Sequence, residues 1–345
     1  MGGPQHAIYF RSNELFARIA GPKAWQYITV NRERRGLVIP LDGNESFVFH
    51  AQLRPEEEQS EIGETKARAM FAEALGAACA MSITERRNWT AGYTLVAGKF
   101  GRGRVLLGGD AAHLFTPTGG LGYNTAVEDA VNLGWKLAAV LKGWGGATLI
   151  ASYEIERKPV AQRNTGYARR FADSVGIYRI PENLEEESAA GEVSRREAGA
   201  YFLRHAQAEF NIPGVTFGAR YDVSPIIAAD GALPPPDEPN LYVPSAVPGG
   251  RAPHLWLGGG RSLYDVLGFE FTLLRLGPKA PDGAALARAA KARGVPFTVV
   301  AIAGEEARDL YQADLALIRP DQIVAWRGAA LPQDPDGLLA SVTGH

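Results

Sequence analysis

The sequence predicts a mixed α/β (α+β) fold, and three stretches carry that prediction. Apolar residues alternate between positions 25 and 53, the period of antiparallel strands. A glycine-braked strand, Arg104 to Gly108, hands an aspartate to a turn and then to a long helix. Beyond position 251 an apolar run, an Ala-rich helix, a second strand and a hairpin follow one another.

The first stretch reads as a three-stranded meander over 25–53. Trp25, Tyr27 and Thr29 alternate, then Leu37, Ile39 and Leu41, then Phe47, Phe49, Ala51 and Leu53, with turns at 32–36 and 42–44. Trp25, Phe47 and Phe49 are expected in the core on one face, leaving the other free. A charged stretch, 55–64, precedes a short amphipathic helix whose Ala67, Met70, Phe71, Ala74 and Leu75 share a face and which Gly76 ends. Strand-like alternation returns over 79–97, with Trp89 placed between sheets.

The densest signal is Gly109-Asp110-Ala111-Ala112-His113, followed by Pro117-Thr118-Gly119-Gly120-Leu121-Gly122-Tyr123-Asn124 and then Glu128-Asp129. A lone Gly-Asp after an apolar strand is ordinarily a strand-to-helix turn. Here an aspartate, a histidine, a proline, three glycines, an asparagine and an acidic pair fall in one ordered window. The first N–H groups of a helix lack partners, and its dipole favours negative charge there. Glycines at 119, 120 and 122 let a flat or phosphorylated ligand approach the backbone. The helix itself is expected over about 125–141, its inward stripe being Val127, Ala130, Val131, Gly134, Ala138 and Leu141. His113 either caps the turn or takes part in chemistry, since a histidine needs a placed partner to act.

The run from Gly103 through Asp110 and His113 to Trp135-Lys136-Leu137-Ala138 resembles the second FAD motif of the flavoprotein aromatic hydroxylases. These are the single-component NAD(P)H-dependent monooxygenases similar to para-hydroxybenzoate and phenol hydroxylase. The resemblance continues through Tyr153-Glu154-Ile155-Glu156-Arg157-Lys158-Pro159-Val160, Gly218-Ala219-Arg220-Tyr221 and Pro248-Gly249-Gly250-Arg251-Ala252-Pro253-His254. It implies a partial FAD-binding Rossmann-like domain with an antiparallel substrate sheet, plus a C-terminal thioredoxin-like domain. It also implies FAD as cofactor, held at Asp110, Pro117, Gly119, Gly120, Leu121, Gly122 and Asn124. The aspartate would hold ribityl hydroxyls and the 119–124 turn the pyrimidine edge of the isoalloxazine. NAD(P)H would be co-substrate, and the meander would roof a small aromatic substrate, phenolic or polyketide-like. No catalytic residue is assigned; Tyr123, Trp89 and His113 are the candidates for a base.

The implied organisation is a partial substrate domain over 1–85, the C-terminal part of the FAD domain over 86–172, a helical and loop connection over 173–250, and a thioredoxin-like domain over 251–345. The connection holds a charged helix near 185–209 and a proline-rich loop at 233–239. In the last domain Phe271–Leu276 is the apolar run, 283–293 the helix, 297–303 a strand, and 315–319 with 323–327 the hairpin. It lacks Cys-x-x-Cys, which excludes dithiol exchange and leaves a structural or dimerisation role.

One departure from the family is serious. No Gly-x-Gly-x-x-Gly is present: Gly101-Arg102-Gly103 reaches Leu106, and Gly258-Gly259-Gly260 reaches Leu263. Asp42-Gly43-Asn44 reads as a hairpin turn rather than the family's Asp-Gly motif. The chain therefore resembles the C-terminal two-thirds of such an enzyme, and the expectation is weak FAD binding without hydroxylation by this polypeptide alone. An inactive remnant serving binding or dimerisation is the alternative, with a homodimer or a complementing N-terminal fragment as partner. A flavin halogenase lacks support because Trp-x-Trp-x-Ile-Pro is absent; against a non-oxygenating flavin reductase of the same superfamily, the thioredoxin-like tail points to the hydroxylase branch.

Composition bounds the rest. The 345 residues are 46% hydrophobic and 21% charged, with 36 basic against 38 acidic residues and a net charge of −2. No one-signed field invites nucleic acid or a membrane surface. No window approaches the roughly 18 apolar residues of a membrane span. The single cysteine, Cys79, precludes an internal disulfide and suits a reducing, cytoplasmic setting.

Overall fold

The computed structural model describes residues 3–19, 21–58, 60–91 and 93–345 as a mixed α/β protein. It has two compact units. One comprises Met1–Tyr93, Thr116–Thr118 and Arg169–Glu209; the other Thr94–Phe115, Gly119–Ala168 and Phe210–His345.

The first unit opens with β1 (Gly3–Arg11), α1 (Leu15–Arg18), β2 (Tyr27–Thr29), β3 (Gly36–Pro40) and β4 (Ser46–Gln52), then α2 (Glu64–Leu75) and β5 (Ser82–Ala91). The strands lie in the order β2-β3-β4-β1-β5, every neighbour antiparallel. The expected meander is thus β2 to β4 of a larger sheet, and β1 and β5 extend it. Side chains alternate across the pleat, so the register sorts them into two faces. Tyr27 opposite Val38, Val38 opposite Phe49, and Phe49 opposite Ile8 lie on one face. That face is the core, where Ile8, Phe10, Val38, Phe47, Phe49 and Ala51 meet Ala67, Met70, Phe71 and Ala74 of α2. The Phe71 ring centre lies 4.8 Å from that of Phe10 and 5.2 Å from that of Phe49. A Cβ at Gly36 would overlap the Phe49 ring, so this strand position requires glycine. The α2 face and its left-handed Gly76 terminus are as expected. Trp25 is not core: it is 62% exposed and lies outside the strand that begins at Tyr27.

The second unit contains β6 (Leu95–Val96), β7 (Gly101–Arg102), β8 (Val105–Leu106), a 3-10 turn at Gly109–Ala111, β9 (His113–Leu114) and α3 (Leu121–Leu141). Next come α4 (Ala147–Ile177), α5 (Ala189–Phe210) and α6 (Pro213–Phe217), with α4 from Arg169 on and α5, except for Phe210, belonging to the first unit. The pair β10 (Trp256–Leu257) and β11 (Arg261–Ser262) precedes β12 (Phe271–Leu276), α7 (Ala284–Ala292), β13 (Phe297–Ile302), α8 (Glu305–Tyr311), β14 (Leu315–Ile318), β15 (Val324–Gly328) and α9 (Pro335–Val342). This last sheet has the order β13-β12-β14-β15, with β12 and β13 parallel and the other pairs antiparallel. A βαβ unit followed by a hairpin and a closing helix is the thioredoxin-like arrangement. Phe271, Leu273, Leu315 and Leu317 pack with Leu286, Leu339 and Val342, and with Ala139, Trp144 and Leu149 from the α3–α4 region. This module therefore shares its core with those helices.

Two expectations about the second unit fail. The strand is two residues long, Val105–Leu106, and the helix begins at Leu121, so Leu121 to Asn124 form its first turn. The stripe expected to face inward faces out: Val127 is 44% exposed, Val131 50% and Leu141 85%. The face that α3 buries holds Leu121, Thr125, Asp129, Asn132, Lys136 and Ala139. The charged side chains among them tolerate burial because each has an ionic partner, and Asn132 bonds through its Nδ2 although its Oδ1 accepts from nothing among the described residues. Lys136 Nζ lies 2.6 Å from Glu156 Oε2, and Arg319 Nη1 lies 2.7 Å from Glu156 Oε1. Asn132 Nδ2 donates to Glu156 at 2.7 Å. Arg157 Nε lies 2.8 Å from Asp129 Oδ1. Periodicity in hydropathy follows the apolar stripe and is blind to a buried charge network.

Candidate functional site

Within the second unit, the Gly-Asp turn is seated on α3. Gly109 is left-handed, at φ 57°, and its N–H donates to Asp129 Oδ2 at 3.0 Å. A Cβ at Gly109 would lie 3.2 Å from Cβ of Ala126, so a larger residue would lift the turn off the helix. His113 Nε2 is 2.6 Å from the same Asp129 oxygen, and both side chains are buried. Burial opposes ionisation of Asp129. The His113 hydrogen bond and the Arg157 charge outweigh it and hold the carboxyl below its ordinary range. Of the two readings of His113, this geometry matches the one in which it fastens the turn. Asp110 itself is exposed, and among the described residues its carboxylate has no hydrogen-bond or ionic partner.

The start of α3 is open in the same sense. Gly119 and Gly120 are both left-handed, at φ 68° and 64°. No side chain caps the helix, and a Cβ at Gly120 would meet nothing within 4 Å. Leu121 is buried, while Asn124 donates from Nδ2 to the Gly120 carbonyl at 2.8 Å and stiffens the turn. A Cβ at Gly122 would meet Phe115 at ordinary contact distance, 3.5 Å. Tyr123 is 80% exposed.

The first unit holds a cavity of about 260 Å³ against the face of the sheet opposite the phenylalanine core. Every strand contributes to its lining: Ile28, Leu37 with Ile39, His50, Gln5 and Trp89. Register explains why. Ile28 is opposite Leu37, Leu37 opposite His50, and Gln5 opposite Trp89, so all share one side of the pleat. Trp89 thus belongs to a cavity wall rather than lying between sheets. Pro117 and Thr118 line the same cavity and precede Gly119 directly in the chain. Ala172, His205 and Glu209 come from α4 and α5. His205 Nε2 lies 2.8 Å from Glu209 Oε2, both nearly buried. Trp89 Nε1 donates to His50 Nδ1 at 3.2 Å. Burial, aided by the Arg87 charge, pushes the His50 pKa below its ordinary value.

Two family models match this chain, an FAD binding domain over residues 7–168 and an aromatic-ring hydroxylase C-terminal domain over 245–344. An FAD-dependent monooxygenase of Penicillium oxalicum is 30% identical over all of this chain and 70% of its own length. The chain belongs to the FAD-dependent aromatic-ring monooxygenases. Another such monooxygenase, from Emericella nidulans, is 30% identical over 99% of this chain, which spans 59% of that relative's length. The phenol 2-monooxygenase of a Pseudomonas species is 33% identical over 70% of this chain and 45% of its own length. Among solved structures, the rebeccamycin biosynthetic enzyme RebC with reduced flavin matches with a TM-score of 0.87 and 32% identity, over all of this chain and 63% of RebC. The flavin-dependent monooxygenase PieE in complex with FAD and substrate matches at 0.83 and 27% identity, over 99% of this chain and 65% of PieE.

The residues present fit the isoalloxazine and ribityl end of the family's FAD. An uncapped helix start behind two left-handed glycines, with empty space beside Gly120, is a cradle for a flat, anion-bearing edge. An exposed aspartate without a protein partner is an acceptor for hydroxyls. Of the cavity residues, sequence reasoning had named Leu37, Ile39, Trp89, Pro117 and Thr118. Gln5, His50, His205 and Glu209 sit in segments with no motif. The signal that could have found Gln5 and His50 is the alternation of β1 and β4, which sets them opposite the buried phenylalanines.

Proposed function

We propose that this chain forms the aromatic-substrate cavity and the ring-side flavin turn of an FAD-dependent monooxygenase that hydroxylates a phenolic or polyketide-like ring with NAD(P)H and O₂. The carrying observation is that the sheet's second face, and Pro117-Thr118 of the FAD motif, line one cavity. FAD, when bound, supplies activation of O₂ and delivery of oxygen to the ring. Asp110 would hold the ribityl hydroxyls. The N–H groups at Leu121 and Gly122 would face negative charge on the ring, a preorganised electrostatic contribution. The apolar wall of Ile28, Leu37 and Ile39 excludes water and orients the aromatic substrate. A cytoplasmic location and a partner copy or fragment belong to the same reading; among the described residues no helix is long and apolar enough to cross a membrane.

Titrating the full chain with FAD and following quenching of flavin emission tests the cofactor part. Weak, saturable binding is expected, reduced about tenfold by Asp110→Ala, the equivalent of ~1.4 kcal/mol. Equal quenching of wild type and variant would remove Asp110 from the site.

A further inference from the structure

The cavity in the first unit has an apolar wall of Ile28, Leu37 and Ile39, and three of its other wall residues, Gln5, Gln26 and His50, carry nitrogen groups with no protein partner among the described residues, two of them on neighbouring strands of the sheet. Gln5 is buried, lines the cavity, and has no hydrogen-bond partner for Nε2. A buried amide left unpaired is destabilising, and such groups persist in native proteins where something else supplies the partner. His50 is the second. The indole N–H of Trp89 only donates, so His50 Nδ1 must be the accepting nitrogen and the ring proton sits on Nε2. The lowered pKa agrees with a neutral ring. Among the described residues nothing accepts from that Nε2–H. Gln5 and His50 stand on adjacent strands: Ala7 is opposite His50, and Gln5 is two residues along β1 on the same face.

We propose that Gln5 and His50 form an oxygen-recognition element that selects aromatic substrates by a ring oxygen, carbonyl or phenolic, which accepts hydrogen bonds from both. This rests on the reading of the cavity as the aromatic-substrate site. Trp89 is a positioning residue, because its N–H fixes the tautomer that makes His50 a donor. Size sets the ring system: an apolar cavity of roughly 150 Å³ holds benzene, so 260 Å³ has room for two fused rings. The substrate class is then a mono- or bicyclic arene with at least one oxygen at the edge that meets β1 and β4. Its remaining edge lies against Ile28, Leu37 and Ile39, which offer no hydrogen bond from their side chains.

Calorimetric binding of 2-naphthol and of naphthalene to the full chain separates this proposal from the one beneath it. The wild type is expected to bind 2-naphthol about tenfold tighter than naphthalene. Gln5→Leu and His50→Leu should each cut that preference about fivefold, with naphthalene affinity unchanged, as expected for losing one neutral hydrogen bond. His50→Gln, which keeps an N–H donor, should recover part of it. Trp89→Phe should lower the preference less than His50→Leu does. Retained naphthalene binding certifies that each variant is folded. If the ratio is the same in every variant, oxygen recognition by Gln5 and His50 is wrong while the aromatic site stands. If neither compound binds the wild type, the substrate-site reading itself falls.

Discussion

The sheet core of the first unit and the α3–α4 contact of the second are interiors built in opposite ways. In the sheet unit the centre is a cluster of phenylalanines and aliphatic side chains, Phe10, Phe47, Phe49 and Phe71 among them, buried against α2. Among the described residues its buried ion pair of arginine and carboxylate, Arg34 with Glu57 at 2.8 Å, stands outside that cluster, as does the His205–Glu209 pair. In the other unit the helices α3 and α4 meet over charge: Asp129, Lys136, Glu156, Arg157 and Arg319 are all essentially inaccessible to solvent. Apolar burial is non-directional and tolerates small adjustments. A buried ion network holds only if every member keeps its partner, because desolvation of each charge is costly. The first interior is robust to chemistry and sensitive to volume. The second is the reverse.

The largest effect that would break this contrast is at Glu156. It accepts from Lys136, Asn132, Ser224 and Arg319. Glu156→Ala leaves Lys136 buried without its counter-charge and Arg319 with Asp321 alone, and should cost about 3–5 kcal/mol. Native-state hydrogen exchange, read separately over α3 and over β4, should report the loss in α3 with β4 protected as before. Loss spread evenly over both would mean the two interiors unfold as one. Phe71→Ala should cost about 3–4 kcal/mol by leaving a cavity beneath Phe10 and Phe49, with the loss read in β4.

Acid sharpens the comparison. Asp129 and Glu156 titrate from 3.8 and 4.5 in their ordinary state, and the fold depresses both. For each, burial works against ionisation, and the neighbouring cationic and hydrogen-bonding groups prevail. A depressed carboxyl contributes stability that is complete above its unfolded pKa and is lost as pH falls through the folded one. Amide protection in α3 and α4 should therefore decline steeply below about pH 4.5. The strands around Phe49 should decline less, since Glu57 and Asp42, depressed carboxylates of that unit, lie outside the apolar cluster. A steeper decline in the strands than in the helices would contradict the assignment. The smallest expected effect is at Gly76, left-handed at φ 76°: Gly76→Ala should cost about 1 kcal/mol, measured as a shift in the thermal midpoint.

Legibility followed the same divide. Strands β2 to β4, the face of α2 and the elements β12, α7, β13, β14 and β15 could be read from sequence because each obeys a hydrophobic period or a turn rule. The candidate flavin turn was visible because Asp110 and the glycines at 119, 120 and 122 form a dense local motif. What escaped is long-range or polar. The first strand, β1, enters the sheet between β4 and β5, and nothing local to Gly3–Arg11 announces a partner that far along the chain. The buried face of α3 looked like the outside because Asp129, Asn132 and Lys136 are charged or polar. Their partners Arg157 and Glu156 stand 28, 24 and 20 positions from them, and Arg319, which also pairs with Glu156, stands 163 positions from it. The cavity residues His205 and Glu209 lie on a helix whose own pattern is weakly amphipathic, so no stripe marks them.

The two-faced register of the five-stranded sheet also bears on how such a protein diversifies. Leu37, Ile39, His50, Gln5 and Trp89 alternate with residues that hold the fold, so a lineage can rewrite the cavity-facing set by point substitution without disturbing the phenylalanines behind it. Insertions and deletions are different. Removing one residue from β4 would turn Phe49 toward the cavity and His50 toward the core, exchanging the two sets at a stroke. Libraries that vary these five positions at fixed strand length should stay soluble far more often than libraries that vary strand length.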